Sequence, residues 1–186
     1  MQEQGLDLRT VARTITEAFV HMTYDKGFVH GDPHPGNMFV RRKEGGKPDE
    51  IELVLLDHGL YCELSEESRI NYAVLWRGIL NQDESMIKQA SKSLGADLHH
   101  IFAAMVADRK YEDLMDESKK LQIKSRLKDK HGEEARQERI EACEKLEKEI
   151  AETLRDMNRD LLVLLKTNNY LRAIDLRLGN PTNTFT

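Results

Sequence analysis

The chain is expected to fold as an α+β, mostly helical protein with a small β-hairpin between its first helix and the rest. Apolar residues Leu8, Val11, Ala12, Ile15, Ala18, Phe19 and Met22 recur at intervals of three and four, which places them on one helical face. Met38-Phe39-Val40 and Ile51–Leu56 then read as two strands separated by the polar stretch RRKEGGKPDE. From Ser65 onward helical spacing returns and continues to the C-terminus.

Each element has a start or stop signal. Asp7 is a suitable N-cap for the first helix and Gly27 a suitable C′ stop. Phe28 and Val29 leave room for a very short extended piece before His30. Ser65 can cap a helix whose first turn holds Glu66 and Glu67, both favourable at the positive end of the helix dipole. Its buried stripe is expected at Ile70, Ala73, Trp76 and Leu80. Further helices are expected from Asp83 to Gly95 and from His99 to Val106.

Residues 108–160 differ in character, with 30 charged residues of 53, 16 acidic and 14 basic. That near balance suits solvated helices, broken at Gly132, more than an anion-binding tail. Glu141/Lys145 and Glu144/Lys148 are i,i+4 pairs in the favourable orientation. Cys143, Ile150, Met157 and Leu164 repeat every seven residues, with Ile140, Leu154 and Leu161 on the offset row. An amphipathic helix packed on its own domain explains this better than a dedicated coiled-coil site. The division expected is a core over 1–106, a charged helical extension over 107–178 and a frayed tail over 179–186.

The totals narrow the function. At 186 residues the length suits one domain, and a net charge of -5 argues against a broad nucleic-acid-binding surface. Cys62 and Cys143 supply neither a disulfide framework nor a zinc pattern, so a reducing compartment is the plain reading. No apolar run approaches the ~18 residues of a membrane span. MQEQGLDLRT has the character of neither a secretory signal nor an organelle presequence.

The densest chemistry lies in VHGDPHPGNMFV. Asp32 and Asn37 are five apart, as in the H-R-D-x-x-x-x-N catalytic loop of kinases. There the aspartate orients a nucleophile and can accept its proton, and the asparagine holds magnesium. Pro33 and Pro35 fix φ at alternate positions, and Gly36 frees the backbone beside Asn37. In LLDHGLY, Asp57 follows a strand and precedes His58-Gly59, the pattern of a D-F-G metal-binding turn with histidine in the middle. A hairpin would bring Asn37 and Asp57 to one end, and an amide plus a carboxylate suit magnesium. Singly, each residue has a plainer reading: Asp32 as a turn stabiliser, Asn37 as a strand cap, Asp-x-Gly as an ordinary turn. Their joint order favours the phosphate-metal reading.

His30 and His34 are four apart, but Pro33 and Pro35 forbid the regular helix that would align them on zinc. His30 is expected to brace the loop through backbone hydrogen bonds. His34 is left with loop packing or a phosphate contact. His21, His99, His100 and His131 read as ordinary helix or surface residues.

At His30-Gly31-Asp32-Pro33-His34-Pro35-Gly36-Asn37 followed by Asp57-His58-Gly59, the chain resembles the UbiB/AarF-domain (ABC1-type) atypical kinases. LLVLLKTNNYLRAIDLRLG is similar to the family's C-terminal lobe, and the charged segment looks most like metazoan mitochondrial AarF-domain members outside the coenzyme-Q branch. The resemblance implies the C-terminal lobe of a protein-kinase-like fold, with the hairpin holding the catalytic and metal-binding loops. It implies ATP and Mg2+ as cofactors, Asp32 and His30 as catalytic-loop residues, Asn37, Asp57 and Gly59 at the cofactor, and Asn37 and Asp57 as metal ligands. It implies a mitochondrial setting, and a lipid or small-molecule substrate linked to coenzyme Q or other lipid metabolism.

The nucleotide-covering loop, strand lysine and helix glutamate of a kinase N-lobe, and the family's Lys-x-Gly-Gln motif, have no counterpart in the 29 residues before His30. The expectation is therefore a C-terminal lobe alone: a fragment, truncated isoform or partial gene product, inactive by itself. The absent N-lobe would be its main packing partner, leaving exposed apolar surface and poor solubility. Two other readings remain. Aminoglycoside- or choline-phosphotransferase-like enzymes have a similar HGDxHxxN loop, although Pro33 beside Asp32 favours the UbiB type. A pseudokinase scaffold would need none of Asp32, Asn37 and Asp57.

Overall fold

The computed structural model describes residues 6–47, 50–109, 111–115 and 133–179. The break expected at Gly132 and the tail beyond Gly179 lie outside the described residues. The described chain is mostly helical, with two antiparallel two-stranded sheets. It divides into two compact units, one from Met1–Arg69 with Arg159–Thr186, the other from Ile70–Asn158.

In the first unit, helix α1 (Leu8–Val20) starts as expected. Asp7 accepts from the backbone N–H of Arg9 and Thr10 at 3.3 and 3.1 Å, satisfying two of the donors a helix start leaves open. The helix runs on as a π-type turn over His21–Lys26 and stops at Gly27, whose φ of +66° favours glycine. Strand β1 (Phe28–His30) follows, then a 3₁₀ turn (Pro35–Asn37), β2 (Met38–Arg42), β3 (Ile51–Leu55) and β4 (Tyr61–Glu63). β2 pairs with β3 in the register Met38↔Leu55, Val40↔Leu53 and Arg42↔Ile51. It reaches two residues into the stretch expected as loop. Opposite charges support the added rungs: Arg41 meets Glu52 at 2.9 Å, and beyond the strand Lys43 meets Glu50 at 2.6 Å.

The strand β4 was not legible in the sequence. It pairs with β1, Val29 opposite Cys62, and turns the short extended piece before His30 into a second sheet. The core of this unit holds Leu6, Val11, Ile15, Phe19, Met38 and Ile174. Thus α1, the β2–β3 hairpin and the C-terminal helix α7 (Arg159–Arg177) bury one another's apolar faces.

Helix α2 (Glu66–Asn81) starts at Ser65, whose hydroxyl accepts from the N–H of Ser68 at 3.1 Å. Its buried face differs from the expectation. Tyr72, Leu75, Gly78 and Ile79 are buried, whereas Ile70 and Leu80 are 55% and 58% exposed. Both rows are apolar at helical spacing, so periodicity alone could not choose between them. Gly78 settles the choice: a Cβ there would lie 3.0 Å from Ile87 Cγ1 and 3.1 Å from Ile87 N. Only glycine lets α2 approach α3 (Glu84–Ser93) this closely.

The second unit continues with α4 (His99–Ala107), α5 (Tyr111–Met115) and α6 (Glu133–Asp156). Asp83 caps α3 by accepting from Met86 N–H at 2.9 Å, and Gly95 lies at φ +82° just past its end. Ile87, Phe102, Ala103 and Val106 are fully buried or nearly so. The heptad pattern drawn from Cys143 to Leu164 does not form one continuous seam. The helix breaks at Met157-Asn158, and Ile140, Cys143 and Leu154 are exposed while Met157, Leu161 and Leu164 are buried.

Gly78→Ala tests the α2 packing. Alanine is favoured over glycine by about 1 kcal/mol in a helix, which would raise stability in open space. Here the contact with Ile87 is expected to reverse the sign, so thermal unfolding should begin lower than in the unsubstituted chain.

Candidate functional site

The loop between β1 and β2 is fixed by the peptide group of Leu56. Its N–H donates to the Asn37 carbonyl at 2.8 Å, which places Asn37 opposite Leu56 just past the last rung of the hairpin. Its carbonyl accepts from His30 Nε2 at 3.1 Å. His30 Nδ1 in turn accepts from the N–H of Asp32 at 3.1 Å. Both ring nitrogens are occupied, so the tautomer is the Nε2–H form and no lone pair remains for a metal. The expectation that His30 braces the loop matches this geometry. The ring is fully buried, and Tyr61 lies 5.2 Å from it between centroids.

Asn37 faces back across the loop. Its amide nitrogen donates to the Asp32 carbonyl at 3.1 Å and, more weakly, to Asp32 Oδ2 at 3.4 Å. That assignment leaves Asn37 Oδ1 as its acceptor. Asp57 is the next residue beyond Leu56, so it stands at the same end of the hairpin as Asn37. It is exposed, with φ at +54°, a region that aspartate tolerates better than most residues. Its Oδ1 accepts from Gly59 N–H at 3.3 Å, closing the Asp-x-Gly turn. His58 is held away from this turn's oxygens, with Nδ1 2.6 Å from the Tyr61 hydroxyl and the two rings stacked.

The donors available at this end are oxygens: the amide of Asn37 and the carboxylate of Asp57. Such a set fits a hard cation that keeps waters and takes phosphate oxygens, and it does not fit zinc. Among the described residues, no cluster of three histidine, cysteine or acidic side chains forms a metal cage.

Asp32 itself has a partner that sequence reasoning missed. Lys166 of α7 reaches it, Nζ to Oδ1 at 2.9 Å. The hydrogen bond from Lys166, supported by its charge, holds the Asp32 carboxyl below its ordinary range. The signal available in the sequence was a single cation after the apolar run Leu161–Leu165. Tyr61 was missed as well; three residues of β4 gave no periodicity to find it by. His34 caps the 3₁₀ turn, its Nδ1 accepting from Gly36 N–H at 3.0 Å. Cys62 is buried, and burial with the nearby Asp160 carboxylate pushes its thiol up to about 12, so it is no nucleophile.

Comparison with known proteins identifies the family. The family model of the ABC1 atypical kinase-like domain matches residues 1–91. AarF domain-containing kinase 1 of Drosophila melanogaster is 35% identical over the whole chain, which covers 34% of that protein. AarF domain-containing protein kinase 1 of Xenopus tropicalis is 37% identical over 99% of the chain and 34% of its own length. The mouse protein of the same name is 35% identical over 98% and 33%. No solved structure matches. The chain belongs to the ABC1/AarF family of atypical kinase-like proteins, and its mostly helical α+β architecture is compatible with a kinase-like fold. It spans about a third of the length of these relatives.

Two outcomes follow from this geometry. His30→Ala leaves the Leu56 carbonyl and the Asp32 N–H without their partner, at about 1–3 kcal/mol each. Urea denaturation should show a loss of that order. For Asp32, a carboxyl depressed in the folded state stabilises above its unfolded value of about 3.9 and loses that contribution as pH falls through the folded value. Lys166→Met should therefore move the Asp32 titration upward in a carboxyl-carbon NMR experiment. The part of any stability difference that comes from the Asp32–Lys166 pair should disappear in strong acid.

Proposed function

We propose that this chain supplies the catalytic-loop end of a magnesium-nucleotide site in an atypical kinase or ATPase. The observation that supports this reading most is the junction at Leu56. Through its hydrogen bonds to Asn37 and His30, residues from β1, the 3₁₀ turn and the end of β3 meet at one end of the hairpin. Family membership supports it independently.

In this reading Asp32 is the catalytic-loop aspartate. Its carboxylate, held below the ordinary range by the Lys166 hydrogen bond, orients a hydroxyl or water for attack more than it acts as a strong base. His30 positions Asp32 by fixing its backbone N–H. Asn37, steered by its amide contacts to Asp32, would present Oδ1 to the cation, and Asp57 would present the carboxylate oxygen that Gly59 does not occupy. When bound, magnesium neutralises charge on the phosphates and keeps them in line with the nucleophile.

By its resemblance to the C-terminal lobe of a kinase, the chain alone is proposed to be inactive without a nucleotide-covering lobe packed on it. Phe39 and Leu56, 57% and 42% exposed at the same hairpin, offer apolar surface to such a lobe. By family resemblance we place the intact protein in mitochondrial lipid or coenzyme Q metabolism, using ATP on a lipid or small molecule.

The test is Asp57→Asn in the full-length protein. Asparagine keeps the left-handed backbone and the turn, so folding should be unaffected. Magnesium-dependent ATP hydrolysis should fall by about a hundredfold or more, as when a transition-state charge contact is lost. Hydrolysis at the original rate would remove Asp57 from the metal site.

A further inference from the structure

One face of α7 lies along the catalytic loop. Asp160 accepts from the Cys62 thiol of β4 at 3.5 Å. Val163 sits so close to Gly31 that a Cβ there would come within 3.0 Å of Val163 Cγ1. Lys166 bonds Asp32, and Tyr170 meets the edge of His34 at 6.0 Å between centroids. Residues 160, 163, 166 and 170 share one helical face, so the helix follows the loop from β4 to His34.

Lys166 stands out in this row. Its ammonium lies over the Tyr170 ring, 5.6 Å from the centroid, and 45% of its side chain is exposed. It has three N–H donors, of which the Asp32 carboxylate takes one. The reading above brings the terminal phosphate of a nucleotide next to Asp32. Two anions at that distance repel unless a cation lies between them. The lysine already at Asp32 has donors to spare and a flexible stem to reach a second anion.

We propose that Lys166 is a phosphate-binding residue of this site, supplied by the C-terminal helix, bridging the Asp32 carboxylate and the terminal phosphate of the bound nucleotide. This inference rests on the nucleotide reading of the previous subsection. It assigns α7 a second task besides packing, as one wall of the phosphate pocket.

The experiment compares Mg-ATP and Mg-ADP binding by calorimetry in the full-length protein, with Lys166, Lys166→Met and Lys166→Arg. Because the side chain is nearly half exposed, both variants should fold, which far-UV circular dichroism checks. Loss of a charge-assisted contact should weaken Mg-ATP binding by about tenfold or more in Lys166→Met. Mg-ADP, lacking the terminal phosphate, should change far less, and Lys166→Arg should recover most of the preference for ATP. Equal loss for both nucleotides, no loss, or tighter ATP binding in Lys166→Met would overturn the assignment while leaving the nucleotide site standing. Failure of the unsubstituted protein to bind either nucleotide would overturn the site itself, and Lys166 with it.

Discussion

The peptide group of Leu56 is the constraint on which the site depends. It lies where β3 ends, and both of its polar atoms are committed, one to the Asn37 backbone and one to the His30 ring. Those two bonds tie both ends of the His30–Asn37 loop to the end of β3. The buried His30 ring then passes the constraint to Asp32 through a single N–H. A buried imidazole in a fixed tautomer is a rigid strut: it cannot rotate without losing two hydrogen bonds at once. Positional accuracy of this kind matters in phosphoryl transfer, where misplacement by about 1 Å can cost on the order of a hundredfold in rate.

The second element is the return of the chain. Helix α7 comes from the far end of the sequence, yet it buries Ile174 in the core that α1 and Met38 share and, nearer its start and on the same side, lays Val163 against the loop. The close approach is made possible by Gly31, where a side chain would collide with Val163 and Leu60. Packing and electrostatics are thus coupled. The same helix that completes the hydrophobic core delivers the ammonium group that bonds Asp32 and lowers its carboxyl pKa.

The chain also keeps the exposed Asp57 in a conformation that most residues avoid. The Asx-type bond to Gly59 and the stacking of His58 on Tyr61 hold the turn around it.

By itself the sequence determined the helix caps at Asp7 and Ser65, the span of the helix between Asp83 and Gly95, the β2–β3 hairpin, the loop His30–Asn37 and the Asp57 turn. All of these rest on local chemistry: a short polar side chain beside an apolar stripe, alternation within a strand, prolines and glycines at fixed offsets. Tertiary structure alone decided the rest. The buried face of α2 was chosen by the fit of Gly78 against Ile87, because both faces are apolar. Strand β4 exists because β1 offers it a pairing edge. Lys166 became part of the site because the core draws α7 back across the loop, 134 residues along the chain from Asp32. Contacts of that separation leave no period or spacing in the sequence, since what brings them together is the burial of other residues of the same helix, Ile174 among them, in the core.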